Sequence, residues 1–118
     1  MKLVALISNG IDSPVASYIM SQRGAEVILL HMDNRPYTDD RSIEVVNALA
    51  SRLREVTGKG FPLYVANHGD NQAAISEVCS RNYQCVMCTI FRNSRKRAIS
   101  VASRIMSTPY RLRSIMLL

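Results

Sequence analysis

Five apolar residues, Leu3-Val4-Ala5-Leu6-Ile7, run straight into Ser8-Asn9-Gly10-Ile11-Asp12-Ser13, a stretch of small and polar residues around one isoleucine. Pro14-Val15-Ala16 follows. An apolar run that breaks at a glycine and resumes with proline specifies a buried strand, a tight loop and a helix N-terminus. Such a corner leaves backbone N–H groups that no helix carbonyl can reach, at the positive end of the helix dipole. It suits an anion, with phosphate the expected one. Ser8 and Ser13 add hydroxyl donors, and Gly10 lets a ligand approach the backbone closely. Taken alone, the same pattern also suits an ordinary strand-to-helix turn with serine and aspartate as caps.

The rest of the chain repeats the alternation. A strand over 2–8 leads to a helix over 14–23, stopped at Gly24. A nearly all-apolar strand over 25–32 reads as buried on both faces. A polar loop over 33–40 contains Pro36. A helix over 40–57 carries Ile43, Val46, Leu49, Ala50 and Leu53 at helical spacing and ends at Gly58 and Gly60. Further on come a strand over 61–67, a helix over 71–79 with Asp70 as candidate cap, a helix over 89–105, and a candidate fourth strand over 111–118. Strands separated by helices pair in parallel through right-handed crossovers, so the expected fold is α/β: a three-layer α/β/α sandwich around a mostly parallel sheet, in one domain over 1–118. Ligands in such sheets sit beyond the carboxyl ends of the strands. Residues 8–13, 31–34 and 67–70 all fall there.

Hydrophobic residues make up 47% of the 118, which excludes a disordered chain. No apolar run reaches membrane-spanning length, and residues 3–7 are too few for a signal-peptide core, so a cytoplasmic location is expected. Up to Glu77 there are seven basic and nine acidic side chains; after it, eight basic and none acidic. A basic half from about residue 78 suits a polyanion such as RNA, and equally a solvated helix face.

Three cysteines cannot all pair within one chain. Cys85-Val86-Met87-Cys88 is a C-x-x-C, compatible with a redox dithiol, half a zinc site, part of an iron–sulfur site, or two small residues at a loop-to-helix junction. Cys79 reads as a buried helix residue. His31 and His68 read first as histidines hydrogen-bonded to the backbone. A carboxylate beside phosphates is repulsive unless it helps to hold Mg²⁺ or accepts loop N–H groups, and both roles stay open for Asp12.

The loop Ser8-Asn9-Gly10-Ile11-Asp12-Ser13 resembles the Ser-Gly-Gly-x-Asp-Ser loop of the PP-loop ATP pyrophosphatases. The continuation Asp12-Ser13-Pro14-Val15-Ala16, with Arg23-Gly24 and Glu26-Val27 entering the second strand, resembles the branch that holds tRNA 4-thiouridine synthetase. The resemblance is close over 2–34 and looser to about Ala102. It implies an adenine-nucleotide α-hydrolase-like fold in which the loop (Ser8, Asn9, Gly10, Ile11, Asp12 and Ser13) holds ATP phosphates with Mg²⁺. It also implies that backbone groups of Leu30, His31 and Met32 meet the adenine edge. It further implies adenylation of a tRNA uridine carbonyl, with pyrophosphate leaving, for sulfur transfer in 4-thiouridine formation. Relatives that thiolate tRNA carry a C-x-x-C at a similar place. Asp12, Cys85 and Cys88 thereby become the catalytic candidates, with an iron–sulfur cluster at the cysteine pair as an alternative. Arg92, Arg95, Lys96 and Arg97 become the RNA-binding candidates. A sulfur-donor protein and a second copy of the chain are the remaining candidate partners. The chain departs from the pattern at Asn9, where the family has glycine, and after Ala102. Two other functions therefore stand beside the first: a nucleotide- or RNA-binding module without its own catalysis, and a PP-loop enzyme adenylating another substrate.

Overall fold

In the computed structural model the described residues are 1–78, Lys96, 99–101, 103, 104 and 114–116. Four strands form one parallel sheet in the order β3-β2-β1-β4, with β1 Lys2–Leu6, β2 Glu26–Asp33, β3 Leu63–Asn67 and β4 Ser114–Met116. Helices α1 Asp12–Gln22, α2 Arg41–Thr57 and α3 Gly69–Val78 lie between the first three strands and after the third. Residues 96, 99–101, 103 and 104 are helical.

Side-chain alternation along the strands builds two cores. Leu3, Ala5, Ile7, Val27 and Leu29 face one way and pack with Val46, Ala50 and Leu53 of α2 and with Phe61; Met20 of α1 joins them. Val4, Ile28 and Leu30 face the other way, with Val101 packed against them. Helical residues therefore cover both faces, as the layered α/β/α expectation requires. From β1 the chain steps to β2 and β3, then returns to set β4 on the opposite side of β1. The reversal of direction falls beside the carboxyl end of β1, the place where such sheets bind ligands.

Helix α1 meets the sheet through serines. Ser13, Ser17 and Ser21 are its buried residues, while Val15 and Ile19 are 51% and 44% exposed. The buried hydroxyls cost little because the helix satisfies them: Ser17 Oγ donates to the Ser13 carbonyl at 2.8 Å and Ser21 Oγ to the Tyr18 carbonyl at 2.9 Å.

Several boundaries differ from the sequence expectation, each for a local reason. β1 stops at Leu6, short of Ser8, because the Ser8 N–H turns away to donate to Ser13 Oγ at 3.0 Å. α1 begins at Asp12, two residues before Pro14; the proline then sits in the first turn, where no intrahelical N–H is needed. β2 runs one residue past Met32, because β3 pairs with it as far as Asp33↔Asn67. β3 begins at Leu63 because Phe61 is left-handed at φ 38° and Pro62 brings no N–H. The Arg54 side chain clasps that turn, Nε donating to the Gly60 carbonyl and Nη2 to the Phe61 carbonyl, both at 2.9 Å. α3 begins at Gly69, so Asp70 lies inside its first turn; Asn67 Oδ1 accepts the Gly69 N–H at 3.1 Å and takes the capping part instead.

Candidate functional site

The loop after β1 is organised by its two serines. Ser13 is buried, and its Oγ accepts the Ser8 N–H. Ser8 Oγ in turn accepts the Gly10 N–H at 3.3 Å and lies 3.4 Å from Ser13 Oγ. Asn9, Ile11 and Asp12 are exposed, and among the described residues their backbone N–H groups make no hydrogen bond outside regular elements. Asp12 is equally exposed and takes no hydrogen bond or ion pair among the described residues. Its carboxylate therefore does not organise the loop. Neither Asn9 nor Gly10 has a positive φ; among the described non-glycine residues Phe61 does. Asn9 thus does not adopt the left-handed backbone that would favour glycine there. A Cβ on Gly10 would meet Ser8 Oγ at 3.4 Å, an ordinary contact, so the protein itself leaves room there.

The end of β2 is built differently. His31 is 9% exposed, and its Nδ1 lies 2.9 Å from the Ile7 carbonyl. A carbonyl only accepts, so Nδ1 carries the proton and donates. This bond ties the end of β2 to the residue just before Ser8. Leu30 is buried and its carbonyl accepts the Ile7 N–H at 2.9 Å. Met32 is half-buried on the opposite face, against Val4, Ile28 and Leu30.

Past Met32 comes a charged knot that the sequence reading had not singled out. Arg35 forks onto Asp33, Nε to Oδ1 at 3.0 Å and Nη2 to Oδ2 at 2.8 Å, while its Nη1 reaches Asp40 Oδ1 at 2.8 Å. Hydrogen bonding from Arg35 holds the Asp33 carboxyl below the usual carboxylate range, against the opposing pull of burial. The same two carboxylates push the Arg35 guanidinium above its ordinary value. Among the described residues the buried Asn34 Oδ1 has no partner, at a cost of about 1–3 kcal/mol for such a group. The signal that could have pointed here was the pairing of Asp33 and Arg35 two residues apart with Asp40 nearby, in a loop that seemed merely polar.

The end of β3 locks onto that loop. The His68 N–H donates to the Asp33 carbonyl at 2.7 Å, and His68, fully buried, lies with Nδ1 3.3 Å from Asn71 Nδ2. A Cβ on Gly69 would stand 1.9 Å from the Arg35 carbonyl oxygen, so only glycine fits. The structure thus brings the 8–13 loop and the ends of β2 and β3 to one edge of the sheet. Cys79, Cys85, Cys88, Arg92, Arg95 and Arg97 lie outside the described residues; Lys96 is helical and exposed. Among the described residues no cluster of His, Cys, Asp and Glu is arranged to hold a metal ion, and no helix is long and apolar enough to cross a membrane.

Comparison with known proteins places this arrangement. A family model described as thiamine biosynthesis protein (ThiI) matches residues 1–108. A probable tRNA sulfurtransferase of Methanothermobacter thermautotrophicus is 40% identical over 88 residues, which is 74% of this chain and 23% of the relative. One from Alkaliphilus oremlandii is 34% identical over 104 residues, 88% of this chain and 25% of the relative. The chain therefore spans about a quarter of the length of these curated relatives. A crystal structure of a 4-thiouridine synthetase–RNA complex with bound ATP superposes with a TM-score of 0.72 at 27% identity, over 92% of this chain and 27% of that one. Sequence and fold agree: this chain belongs to the ThiI family and carries its PP-loop α/β fold.

Proposed function

We propose that this chain is the ATP-handling unit of tRNA thiolation. It binds ATP at the loop formed by Ser8, Asn9, Gly10, Ile11, Asp12 and Ser13 and adenylates a tRNA uridine carbonyl, releasing pyrophosphate, before sulfur displaces AMP. The observation that carries this is the strand–loop–helix corner itself: the exposed residues Asn9, Ile11 and Asp12, whose N–H groups make no hydrogen bond outside regular elements among the described residues, at a helix N-terminus beside the reversal point of the sheet. The related synthetase with ATP and RNA supports it.

Asp12 fits a Mg²⁺ role better than a loop-organising one, because its carboxylate is exposed and unpaired among the described residues. Mg²⁺ suits one or two carboxylates plus phosphate oxygens and water rather than an all-protein cage. Bound there, it would neutralise charge on the departing pyrophosphate. The protein's own contribution is positioning: the N–H groups and the serine hydroxyls hold phosphate oxygens while the β2 end holds the base. Cys85 and Cys88 handle sulfur in this reading, and Arg92, Arg95, Lys96 and Arg97 guide RNA. If they do, tRNA binding weakens steeply with salt through counterion release.

The test is a titration with Mg²⁺–ATP followed by backbone amide shifts. Shifts concentrated at residues 8–14 and 30–34 are the expected result; shifts elsewhere, or none at millimolar ATP, overturn it. A second reading, nucleotide binding without turnover, is favoured by Asn9, whose exposed carboxamide stands where the family loop has glycine. Pyrophosphate release that depends on tRNA separates the two.

A further inference from the structure

We infer that His31 is a positioning residue that ends the β1–β2 ladder one bond early and so leaves the backbone of Met32 open to the nucleotide base. The inference rests on the ATP reading above and deepens it.

In a parallel ladder each residue turns its N–H and C=O to the same side, and successive residues alternate sides. The Leu29 N–H donates to the Pro62 carbonyl at 2.8 Å, and the Asp33 carbonyl accepts from His68. Residues 29, 31 and 33 therefore bond towards β3. The Leu30 carbonyl accepts from Ile7, so residues 30 and 32 face β1. The next rung would run from the Met32 N–H to the Ile7 carbonyl. That rung is missing: the Ile7 carbonyl takes the His31 ring N–H at 2.9 Å, and β1 pairs with β2 only as far as Leu6↔Leu30. Met32 thus presents one N–H donor and one C=O acceptor, side by side and unbonded among the described residues, at the carboxyl end of the sheet and next to Ser8. That pair matches the donor–acceptor edge of adenine. The imidazole is buried, so its bond to Ile7 is shielded from competing water. One side chain thereby sets both the start of the phosphate loop and the edge that reads the base.

The experiment compares the parent chain, His31→Leu and His31→Asn, whose amide nitrogen reaches the place of Nδ1. Each is titrated with Mg²⁺–ATP and with Mg²⁺–tripolyphosphate, which has the phosphates without the base. His31→Leu is expected to lose about tenfold in ATP affinity, the scale of one well-placed hydrogen-bonding group, while tripolyphosphate affinity holds. His31→Asn is expected to recover most of the loss. Unchanged ATP affinity in His31→Leu overturns the inference, and so does an equal loss for both probes. A parent that binds neither probe overturns the ATP reading and this one together. Should His31→Leu fail to fold, amide exchange in the ligand-free parent decides: the Met32 amide should exchange at least a hundredfold faster than that of Leu30, and equal protection at both overturns the inference.

Discussion

The corner after β1 and the corner after β2 lie side by side, yet they are held by opposite means. The first is a network of neutral groups: two hydroxyls and two loop N–H groups bond to one another, and the one charged side chain, Asp12, stays exposed and unpaired among the described residues. The second uses its charges up internally. Arg35 binds Asp33 and Asp40, and the backbone of Arg35 rests on Gly69. The first corner keeps its one charge open to solvent; the second, the frame beside it, closes its charges on one another, although Asn34 Oδ1 and the Met32 backbone there find no partner among the described residues.

Four substitutions test the contrast between the two corners. The largest effect belongs to Asp12→Ala, expected to lower tRNA-dependent pyrophosphate release by about a hundredfold or more while leaving the unfolding midpoint close to the parent's. An Asp12→Ala chain that unfolds would make the aspartate a structural cap and erase the contrast. Next comes Gly69→Ala, where the new methyl meets backbone rather than a movable side chain. A loss of about 1–3 kcal/mol in denaturant unfolding is expected, with amide shifts spreading to residues 34–37. Stability equal to the parent's would show the frame is loose.

A smaller effect is expected from pH. The native Asp33 carboxyl is lowered, so the stability it contributes is present above the ordinary carboxylate value of about 4 and is lost as pH falls through the lowered native value. Asp33→Asn should remove that part of the acid-side decline in stability; an unchanged acid limb would mean the Arg35 fork adds nothing to the fold. Smallest is Asn9→Gly, expected to keep ATP affinity or raise it by no more than about threefold, since Asn9 already avoids the left-handed backbone that glycine would favour. A marked loss of affinity would give the Asn9 carboxamide a binding role of its own.

Most of the sheet was legible in the sequence. The odd and even residues of Leu3-Val4-Ala5-Leu6-Ile7 sort onto two faces because a buried parallel strand needs apolar groups on both. The loop after β1 was legible for a similar reason: its chemistry is local, within about six residues. The frame was not. His31 finds its partner 24 residues back at Ile7, and Gly69 is required by a carbonyl at Arg35. No periodicity encodes either contact. The left-handed Phe61 escaped as well, because an aromatic before a proline reads as strand, and the Arg54 clasp that secures it comes from the preceding helix. The serine face of α1 ran against the usual pattern of apolar residues inward.

The contact between Gly69 and Arg35 has a kinetic side. The loop after β2 cannot swing outward without breaking the bond from the His68 N–H to the Asp33 carbonyl and lifting off the first turn of α3. Segments joined in this way open as one cooperative unit rather than separately. The protection factor of the His68 amide therefore becomes a gauge of how often the neighbouring loop breathes, and nucleotide that steadies the loop should slow exchange at a residue it never touches.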